Sequence, residues 1–284
     1  MFFFRLLSRL PIWALYWFSN FLFFISYHVI RYRRGLVEKN LRNSFPDKSH
    51  CELREIELNF YKNLCDYAVE TLKSITMRSE DFQKKVVFKN SEVVKNQLRQ
   101  NQSVIFLTSH QFNWEWLLQS ACLEYPAAMD FIYQAAASNF FNNFSLEARS
   151  RFGAFPIERR EVAKTSIKRR YILRGIAMLA DQYPGYDSDK KYETTFLNQK
   201  TVFFYGANQI AQLTQYPVYY HTIKRIGRGM YEATAMEIAV PPYTKESKEV
   251  IEKYIRAVEK NIQENPSNWL WSHDRWKSRH FTQA

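Results

Sequence analysis

The sequence predicts an α/β fold with a mixed, mostly parallel sheet flanked by helices, together with an N-terminal membrane helix. Short apolar runs alternate with segments of helical periodicity along most of the 284 residues, which is typical of this class. A hairpin signal after the last apolar run adds antiparallel strands at the sheet edge. Because no Gly, Ser or Pro-rich linker interrupts the chain, we predict one domain, residues 35–284, behind an anchor helix and its basic flank, residues 1–34.

An uncharged apolar run at residues 10–30 predicts the membrane helix. As a helix it would extend for roughly 30 Å, about the hydrocarbon thickness of a bilayer. Arginines bound it on both sides, at Arg5 and Arg9 before it and at Arg31, Arg33 and Arg34 after it. The heavier basic load after the run places the remaining chain on the cytoplasmic side. Polar residues dilute the run, so a helix lying in the headgroup region is the alternative.

The segments behind the anchor predict the elements of the α/β domain. Ser49 followed three residues later by Glu52 is a capping-box pattern, and apolar residues then recur at helical spacing to about Thr76. Later apolar runs predict buried strands, and the segments between them predict helices. The strands are predicted at 104–108, 129–133, 175–180 and 217–223, and the helices at 113–124, 138–151, 164–173 and 206–215.

Two further elements complete the predicted domain. Gly227 and Gly229 mark the turn of a hairpin. A charged amphipathic helix follows and ends before Pro266. The sequence has no internal repeat and no glycine-rich phosphate loop, so nucleotide binding has no support.

The net charge of +12 is concentrated in two segments. Residues 1–45 hold seven Lys or Arg against one acidic residue, and residues 149–174 hold nine against two. Such segments attract nucleic acid, anionic lipid or an acidic protein, and charge alone does not choose among these partners. The three cysteines form no CxxC pair, which indicates a reducing compartment and argues against a disulfide framework or a zinc site.

A histidine and a glutamate in the segment "TSHQFNWEW", residues 108–116, form the candidate catalytic pair. In a continuous helix, His110 and Glu115 would lie about 140° apart around the axis and could not meet. If a strand ends at Ser109 and a helix starts near Asn113, the imidazole can fold back over the first helical turn and meet the carboxylate. We therefore predict direct contact between the two side chains at a strand-to-helix junction.

Such a pair is suited to general base catalysis. The carboxylate would hold the imidazole in one tautomer while the other ring nitrogen takes a proton from a hydroxyl. No Ser or Cys nucleophile motif accompanies the pair, which indicates direct attack of a substrate hydroxyl on an activated acyl group. No metal is predicted, because there is neither an HExxH motif nor a second histidine nearby. The spacing alone is a weak signal, since a histidine at a strand end is more often a structural residue.

Several ordered blocks of the sequence occur together. They are "YRRGLVEKNLRNSFPDKS" at 32–49, "HQFNWEW" at 110–116, "EARSRFG" at 147–153, "ADQ" at 180–182, "FFYG" at 203–206 and "NPSNWLWSHDRWK" at 265–277. Over nearly its whole length the chain resembles the late lipid A acyltransferases of Gram-negative bacteria, the lauroyl and myristoyl acyltransferase family. This family lies within the glycerolipid acyltransferase superfamily and its H-x4-D/E motif. Phe112, where the family usually has Gly, is expected to narrow the acyl tunnel or reshape the turn.

The resemblance implies a catalytic domain that moves a fatty acyl group, without a cofactor, from an acyl carrier protein thioester to a hydroxyl of a membrane lipid acceptor, above all a lipid A precursor. His110 would be the base and Glu115 its orienting carboxylate. Trp269 and His273 are interpreted as packing and structural residues. The implied location is the inner membrane, with the catalytic domain facing the cytoplasm. The substrate-binding residues that it implies are Asn113, Trp114, Arg149, Arg151, Gly153, Asp181 and Gln182.

Two alternatives stay open at this point. The first is a related acyltransferase that acts on another glycolipid, a lysophospholipid or an aminolipid. The second is a non-catalytic basic membrane-binding protein in which His110 is structural. Nucleic-acid binding is not supported by any motif, despite the charge.

Overall fold

A computed structural model describes residues 2–185 and 188–277 of the chain. Its helices are α1 (Phe2–Ser8), α2 (Ile12–Phe23), α3 (Arg34–Ser44), α4 (His50–Lys73), α5 (Ser79–Lys85), α6 (Glu92–Arg99), α7 (Trp114–Glu124), α8 (Asn139–Arg149), α9 (Val162–Lys168), α10 (Gly206–Thr214) and α11 (Glu249–Glu264). Its strands are β1 (Val86–Phe88), β2 (Val104–Thr108), β3 (Ala128–Tyr133), β4 (Phe155–Glu158), β5 (Arg174–Leu179), β6 (Lys191–Phe196), β7 (Gln199–Phe204), β8 (Val218–Gly227) and β9 (Met230–Ala239).

Seven of these strands form one sheet in the order β1-β9-β8-β2-β5-β3-β4. Neighbouring strands are parallel except in the β8–β9 hairpin, so the predicted mostly parallel α/β sheet is confirmed. The hairpin turns where Gly227 pairs with Met230, as the glycine spacing predicts. β6 and β7 form a separate antiparallel pair that the sequence analysis did not predict.

The predicted strands and helices are confirmed with small changes at their ends. β2, β3, β5 and β8 occupy the four apolar runs. α4 begins with both hydrogen bonds of the capping box between Ser49 and Glu52. The helix predicted at 164–173 is shorter, since α9 ends at Lys168. The side chain of the next residue, Arg169, donates to the buried carboxylate of Asp130.

The parallel strands bring the ends of distant segments to one edge of the sheet. β2, β5 and β3 lie side by side and run in the same direction. Every residue of β2 is buried, as expected for a strand covered on both faces. His110 follows β2 and Asp181 follows β5, so both lie at the carboxyl edge, where ligands bind in open α/β sheets.

The N-terminal run does not form the single helix predicted over 10–30. α2 starts after Pro11, which has no peptide N–H to continue a helix, and a π-helical segment, Phe24–Val29, follows α2. Among the described residues, no helix combines the length and the apolar character needed to cross a bilayer.

α2 packs against α4 with its more polar side. The Ser19 hydroxyl donates to Asp66 Oδ1 at 2.6 Å, and the Tyr16 hydroxyl donates to Glu70 Oε1 at 2.8 Å. The opposite side is an exposed surface of large apolar residues, which we call the N-terminal apolar face. It is formed by Trp13, Trp17, Phe18, Phe21 and Phe24. Large exposed apolar residues grouped on one side of a helix are typical of contact sites.

Loss of the capping box should destabilise the domain. We expect Ser49→Ala to lower the free energy of unfolding by about 1 kcal/mol, because the peptide N–H of Glu52 loses its acceptor at the start of α4. Urea denaturation measures this change. Glu52→Gln should cost less, since an amide oxygen can still accept from the Ser49 N–H; an unchanged midpoint for Ser49→Ala would contradict the prediction.

Candidate active site

His110 is held at the carboxyl edge of the sheet by its own backbone. Its N–H donates to Asp181 Oδ2 at 2.9 Å, and its carbonyl oxygen accepts from the Leu270 N–H at 3.0 Å. β2 and β5 are adjacent, with Thr108 opposite Leu179, and this register brings the residues that follow the two strands together. The position of His110 is therefore determined by the sheet and by the C-terminal segment that crosses its edge.

The imidazole of His110 is bonded to the same carboxylate. Nδ1 lies 2.7 Å from Asp181 Oδ1, and the Trp269 indole N–H donates to Asp181 Oδ2 at 2.8 Å. Asp181 is fully buried, and burial by itself opposes its ionisation. The neighbouring His110 and the hydrogen bonds from His110 and Trp269 outweigh burial and hold the pKa of Asp181 below its ordinary value.

This geometry defines which nitrogen of His110 can act as a base. An ionised carboxylate only accepts hydrogen bonds, so Nδ1 carries the proton that it donates to Asp181. Nε2 then holds the lone pair, and it has no hydrogen-bond partner among the residues that the structure describes. The ring is partly exposed, with 19% of its side-chain surface accessible. His110 is thus oriented to take a proton at Nε2.

The predicted direct contact between His110 and Glu115 is wrong. The carboxylate of Glu115 accepts from Arg149 instead, from Nε at 2.8 Å and from Nη2 at 2.5 Å, and it also accepts from the Trp114 indole at 3.0 Å. Glu115 lies in the first turn of α7, where its side chain faces the last residue of α8. Asp181 therefore takes the orienting place that the sequence analysis assigned to Glu115.

Glu115, which is buried, and Arg149, which is partly exposed, form an ion pair that joins α7 to α8. Burial alone raises the pKa of a carboxyl group, but the charge and hydrogen bonds of Arg149 outweigh it and hold the pKa of Glu115 below its ordinary value. The same pairing raises the pKa of the Arg149 guanidinium, against the opposing effect of burial. The pairing thus favours the charged form of each residue, and both line the cavity described next.

A cavity of about 490 Å³ lies beside His110. One wall is the face of the sheet that carries Phe106, Ala177 and Met129, and another is α7 with Leu118 and Ala121. Polar side chains surround the end of the cavity near His110. Those lining residues are Glu115, Gln134, Arg149, Arg159, Gln182, His273 and Lys277. An apolar space with a few polar groups at one end is typical of a site for a small or chain-like ligand.

The structure brings some of the predicted substrate-binding residues to the cavity. Trp114, Arg149 and Gln182 line it, and the Trp114 ring lies edge-on to the His110 ring with 5.1 Å between centroids. Asp181 lies behind His110 as its hydrogen-bond acceptor. Phe112 is fully buried in the core, stacks on Phe60 and does not line the cavity, so the first of its two predicted effects, a narrower tunnel, is wrong. The second, a reshaped turn, stays a prediction.

Besides Asp181, three of the predicted substrate-binding residues lie outside the lining of the cavity. Asn113 caps α7 by accepting from the Trp116 N–H at 3.0 Å, and its amide donates to Glu70. The Arg151 guanidinium donates to the carbonyl of Ser74. Gly153 has a φ of 84°, the left-handed conformation that glycine adopts most readily, in the turn before β4. We interpret all three as structural residues.

The C-terminal block contributes more than the sequence analysis assigned to it. Trp269, interpreted there as packing, donates to Asp181, and His273 lines the cavity. Periodicity does not reveal either role, because only the fold brings residues 269–273 to the edge beside His110. Within residues 2–185 and 188–277, no group of three or more His, Cys, Asp or Glu residues is placed to hold a metal ion.

The Glu115–Arg149 pair gives a test of this assignment. Glu115→Gln leaves the Arg149 guanidinium, whose side chain is 24% exposed, without its counter-charge. We expect the free energy of unfolding to fall by about 3 kcal/mol, the lower end of the range for breaking a buried pair, because the remaining exposure reduces the cost. The double variant Glu115→Gln/Arg149→Met removes both charges and should regain much of that loss. Denaturant titration measures both variants, and wild-type stability in Glu115→Gln would contradict the prediction.

The pH dependence of stability should change in the same variants. The pKa of Glu115 is lower in the folded state, so its contribution to stability is present above the unfolded pKa and is lost as the pH falls through the folded pKa. We therefore expect the wild type to lose unfolding free energy relative to the double variant as the pH falls through the folded pKa of Glu115. Denaturant titrations at a series of pH values measure this difference. Asp181 is present in both proteins, so its own titration cancels in the difference between them.

Two comparisons with known proteins gave different results. A search among curated proteins found no match. The family model described as bacterial lipid A biosynthesis acyltransferase matches residues 1–278, which is nearly the whole chain. A carboxylate-oriented histidine beside an apolar cavity is compatible with acyl transfer to a hydroxyl. The chain therefore belongs to the bacterial lipid A biosynthesis acyltransferase family.

Proposed function

We propose that this acyltransferase moves a fatty acyl group from an acyl carrier protein thioester to a hydroxyl of a lipid A precursor, with His110 as general base, at the cytoplasmic face of the inner membrane. The observation that carries the proposal is the His110 imidazole, bonded to Asp181 through Nδ1, with Nε2 available beside an apolar cavity. The family supports the reaction class and the lipid A pathway. The identity of the base, the donor and the membrane location are the proposed parts.

The reaction needs one base and no covalent enzyme intermediate. The hydroxyl oxygen of the acceptor attacks the carbonyl carbon of the thioester while Nε2 of His110 takes the hydroxyl proton. A C–O bond forms, the C–S bond breaks, and the proton passes from His110 to the leaving thiolate. Asp181 stabilises the imidazolium that exists between these steps, because its carboxylate lies 2.7 Å from Nδ1.

The apolar part of the cavity suits the acyl chain. It extends from His110 toward Phe106 between the sheet and α7, a distance of roughly 13 Å along β2 at the usual rise per residue. Leu118, Ala121 and Met129 would cover the chain and exclude water from it. Placing the chain here puts its activated carbonyl group near Nε2 of His110.

The basic segment at 149–174 supports the proposed docking of an acidic carrier protein. Fewer of its positive charges are exposed than the sequence suggests. Arg149 pairs with Glu115, and Arg169 and Arg174 pair with the buried Asp130. Exposed cations of the segment are Arg160, Lys164, Lys168 and Arg170. Acidic partners are attracted and oriented by clusters of this kind.

The N-terminal apolar face supports contact with the membrane. Trp13 and Trp17 are 65% and 73% exposed, which is unusual for residues of this size in a folded domain. Tryptophan side chains prefer the interface between headgroups and hydrocarbon. We propose that α2 lies in this interface and holds the domain against the lipid that contains the acceptor.

Genetic complementation with lipid analysis tests the acyl transfer. In a strain lacking this gene, lipid A should lose one acyl chain, and the wild-type gene should restore it. His110→Ala and Asp181→Asn should not restore it, because transfer rates should fall about 10²–10⁴-fold without a correctly oriented base. Mass spectrometry of extracted lipid A gives the chain count, and purified proteins give the rates.

The matched control is His50→Ala, which changes an exposed histidine at the start of α4 and should behave as wild type. Full complementation by His110→Ala would contradict the assignment of the base. Unchanged lipid A together with an altered aminolipid or lysophospholipid would instead identify another acceptor.

Membrane contact is tested with vesicles. Trp13→Glu/Trp17→Glu should weaken binding to vesicles of phosphatidylethanolamine and phosphatidylglycerol on the order of 10²-fold, because two large apolar side chains are replaced by charges. Co-sedimentation measures the bound fraction. Tyr171→Glu is the control, since Tyr171 is an aromatic residue that is 83% exposed outside the N-terminal apolar face. Equal losses in both proteins would contradict docking through α2.

A further inference from the structure

We propose that His273 is a second catalytic residue, a neutral imidazole that donates a hydrogen bond from Nδ1 to the acyl carbonyl oxygen as that oxygen becomes negatively charged. The inference rests on the proposed acyl transfer at His110 and adds the group that stabilises the transition state. It depends on where His273 lies, on which ring nitrogen carries its proton, and on the charges around it.

His273 belongs to the same cavity as His110. Both rings line it, and the segment that carries His273 is bonded to His110 and to its partner. The Leu270 N–H donates to the His110 carbonyl at 3.0 Å, and the Trp269 indole donates to Asp181 at 2.8 Å. The His273 carbonyl accepts from the Asn40 amide at 3.2 Å. These bonds hold the second imidazole at the polar end of the cavity.

The tautomer of His273 follows from one hydrogen bond. The peptide N–H of Tyr183 lies 3.2 Å from His273 Nε2, and a peptide N–H can only donate. Nε2 must therefore accept, and the proton of a neutral imidazole is then on Nδ1. No residue in the described part of the chain forms a hydrogen bond with Nδ1 of His273. This nitrogen is a donor that is available to a ligand.

The two histidines thus offer opposite functions at the same site. His110 is bonded to a carboxylate and presents a lone pair at Nε2, whereas His273 is bonded to a peptide N–H and presents a proton at Nδ1. Acyl transfer needs one group of each kind, because a proton must leave the attacking hydroxyl while negative charge develops on the carbonyl oxygen.

The surroundings of His273 keep it neutral. A protonated ring would direct a second N–H against the peptide N–H of Tyr183, which opposes protonation. Burial first, and then the charges of His110, Arg275 and Lys277, lower the pKa of His273 to about 4, while the charge of Asp181 opposes this shift. A neutral donor stabilises an oxyanion without transferring its own proton. Arg149, another donor that lines the cavity, already binds Glu115 with two of its nitrogens.

Steady-state kinetics with an acyl carrier protein thioester and a lipid A precursor in mixed micelles test the role. His273→Ala should lower kcat about 10²–10³-fold while KM changes little, because the lost bond forms only as charge develops. His273→Asn places an amide N–H close to the position of Nδ1 and should recover most of kcat. A residue that acts only by packing would not be rescued in this way.

The pH profile separates a neutral donor from an acid or base. Between about pH 5 and 8, the profile of His273→Ala should run parallel to that of wild type, since His273 is neutral throughout this range. Loss of one limb of the profile would overturn the proposal. So would wild-type kcat in His273→Ala, or a failure of His273→Asn to exceed His273→Ala.

A spectroscopic measurement on the wild-type protein does not depend on the folding of any variant. ¹⁵N NMR of histidine-labelled protein should show the neutral tautomer with its proton on Nδ1 for His273, and a charged ring or a proton on Nε2 would overturn the proposal. Failure of the proposed function gives a different result, because His110→Ala would then remain active. An inactive His110→Ala with a fully active His273→Ala would reject only the role of His273.

Discussion

The buried carboxylate of Asp181 is the constraint on which the site depends. It has no exposed surface, and it accepts hydrogen bonds from the His110 N–H, the His110 ring and the Trp269 indole. A buried charge is tolerated only when it is fully hydrogen-bonded, so displacing any of these donors is costly. One carboxylate thereby joins the end of β2, the end of β5 and the C-terminal segment, and in doing so it determines which nitrogen of His110 is available.

A second buried carboxylate connects the N-terminal helix α2 to the sheet and to the start of α7. Glu70 of α4 accepts from Tyr16 of α2, from Asn113 at the cap of α7 and from Tyr231 of β9. Burial raises the pKa of Glu70 although all three hydrogen bonds favour its ionised form. The helix that carries the N-terminal apolar face is therefore attached, through one side chain, to the cap of the helix that forms a wall of the cavity.

The cavity itself results from the parallel sheet and the two helices beside it. Phe106 of β2 and Met129 of β3 lie on one face of the sheet with β5 between their strands, while the ion pair between Glu115 and Arg149 connects α7 to α8. Most of the polar groups gather at one end because parallel strands all finish at the same edge, whereas His221 lies beside Phe106. An apolar space that ends in oriented polar groups is thus a direct consequence of the strand order.

The sequence by itself determined the fold class, the main strands, the capping box, the hairpin, the family and the place of His110 just after a strand, because each depends on local periodicity or on an ordered motif. It did not determine the partner of His110. Asp181 is 71 residues away along the chain, and only the register of β2 against β5 brings it within hydrogen-bond distance. The arrangement of α2 and the position of His273 were likewise decided by tertiary contacts, since side chains far apart in the sequence supply the donors and acceptors that hold them.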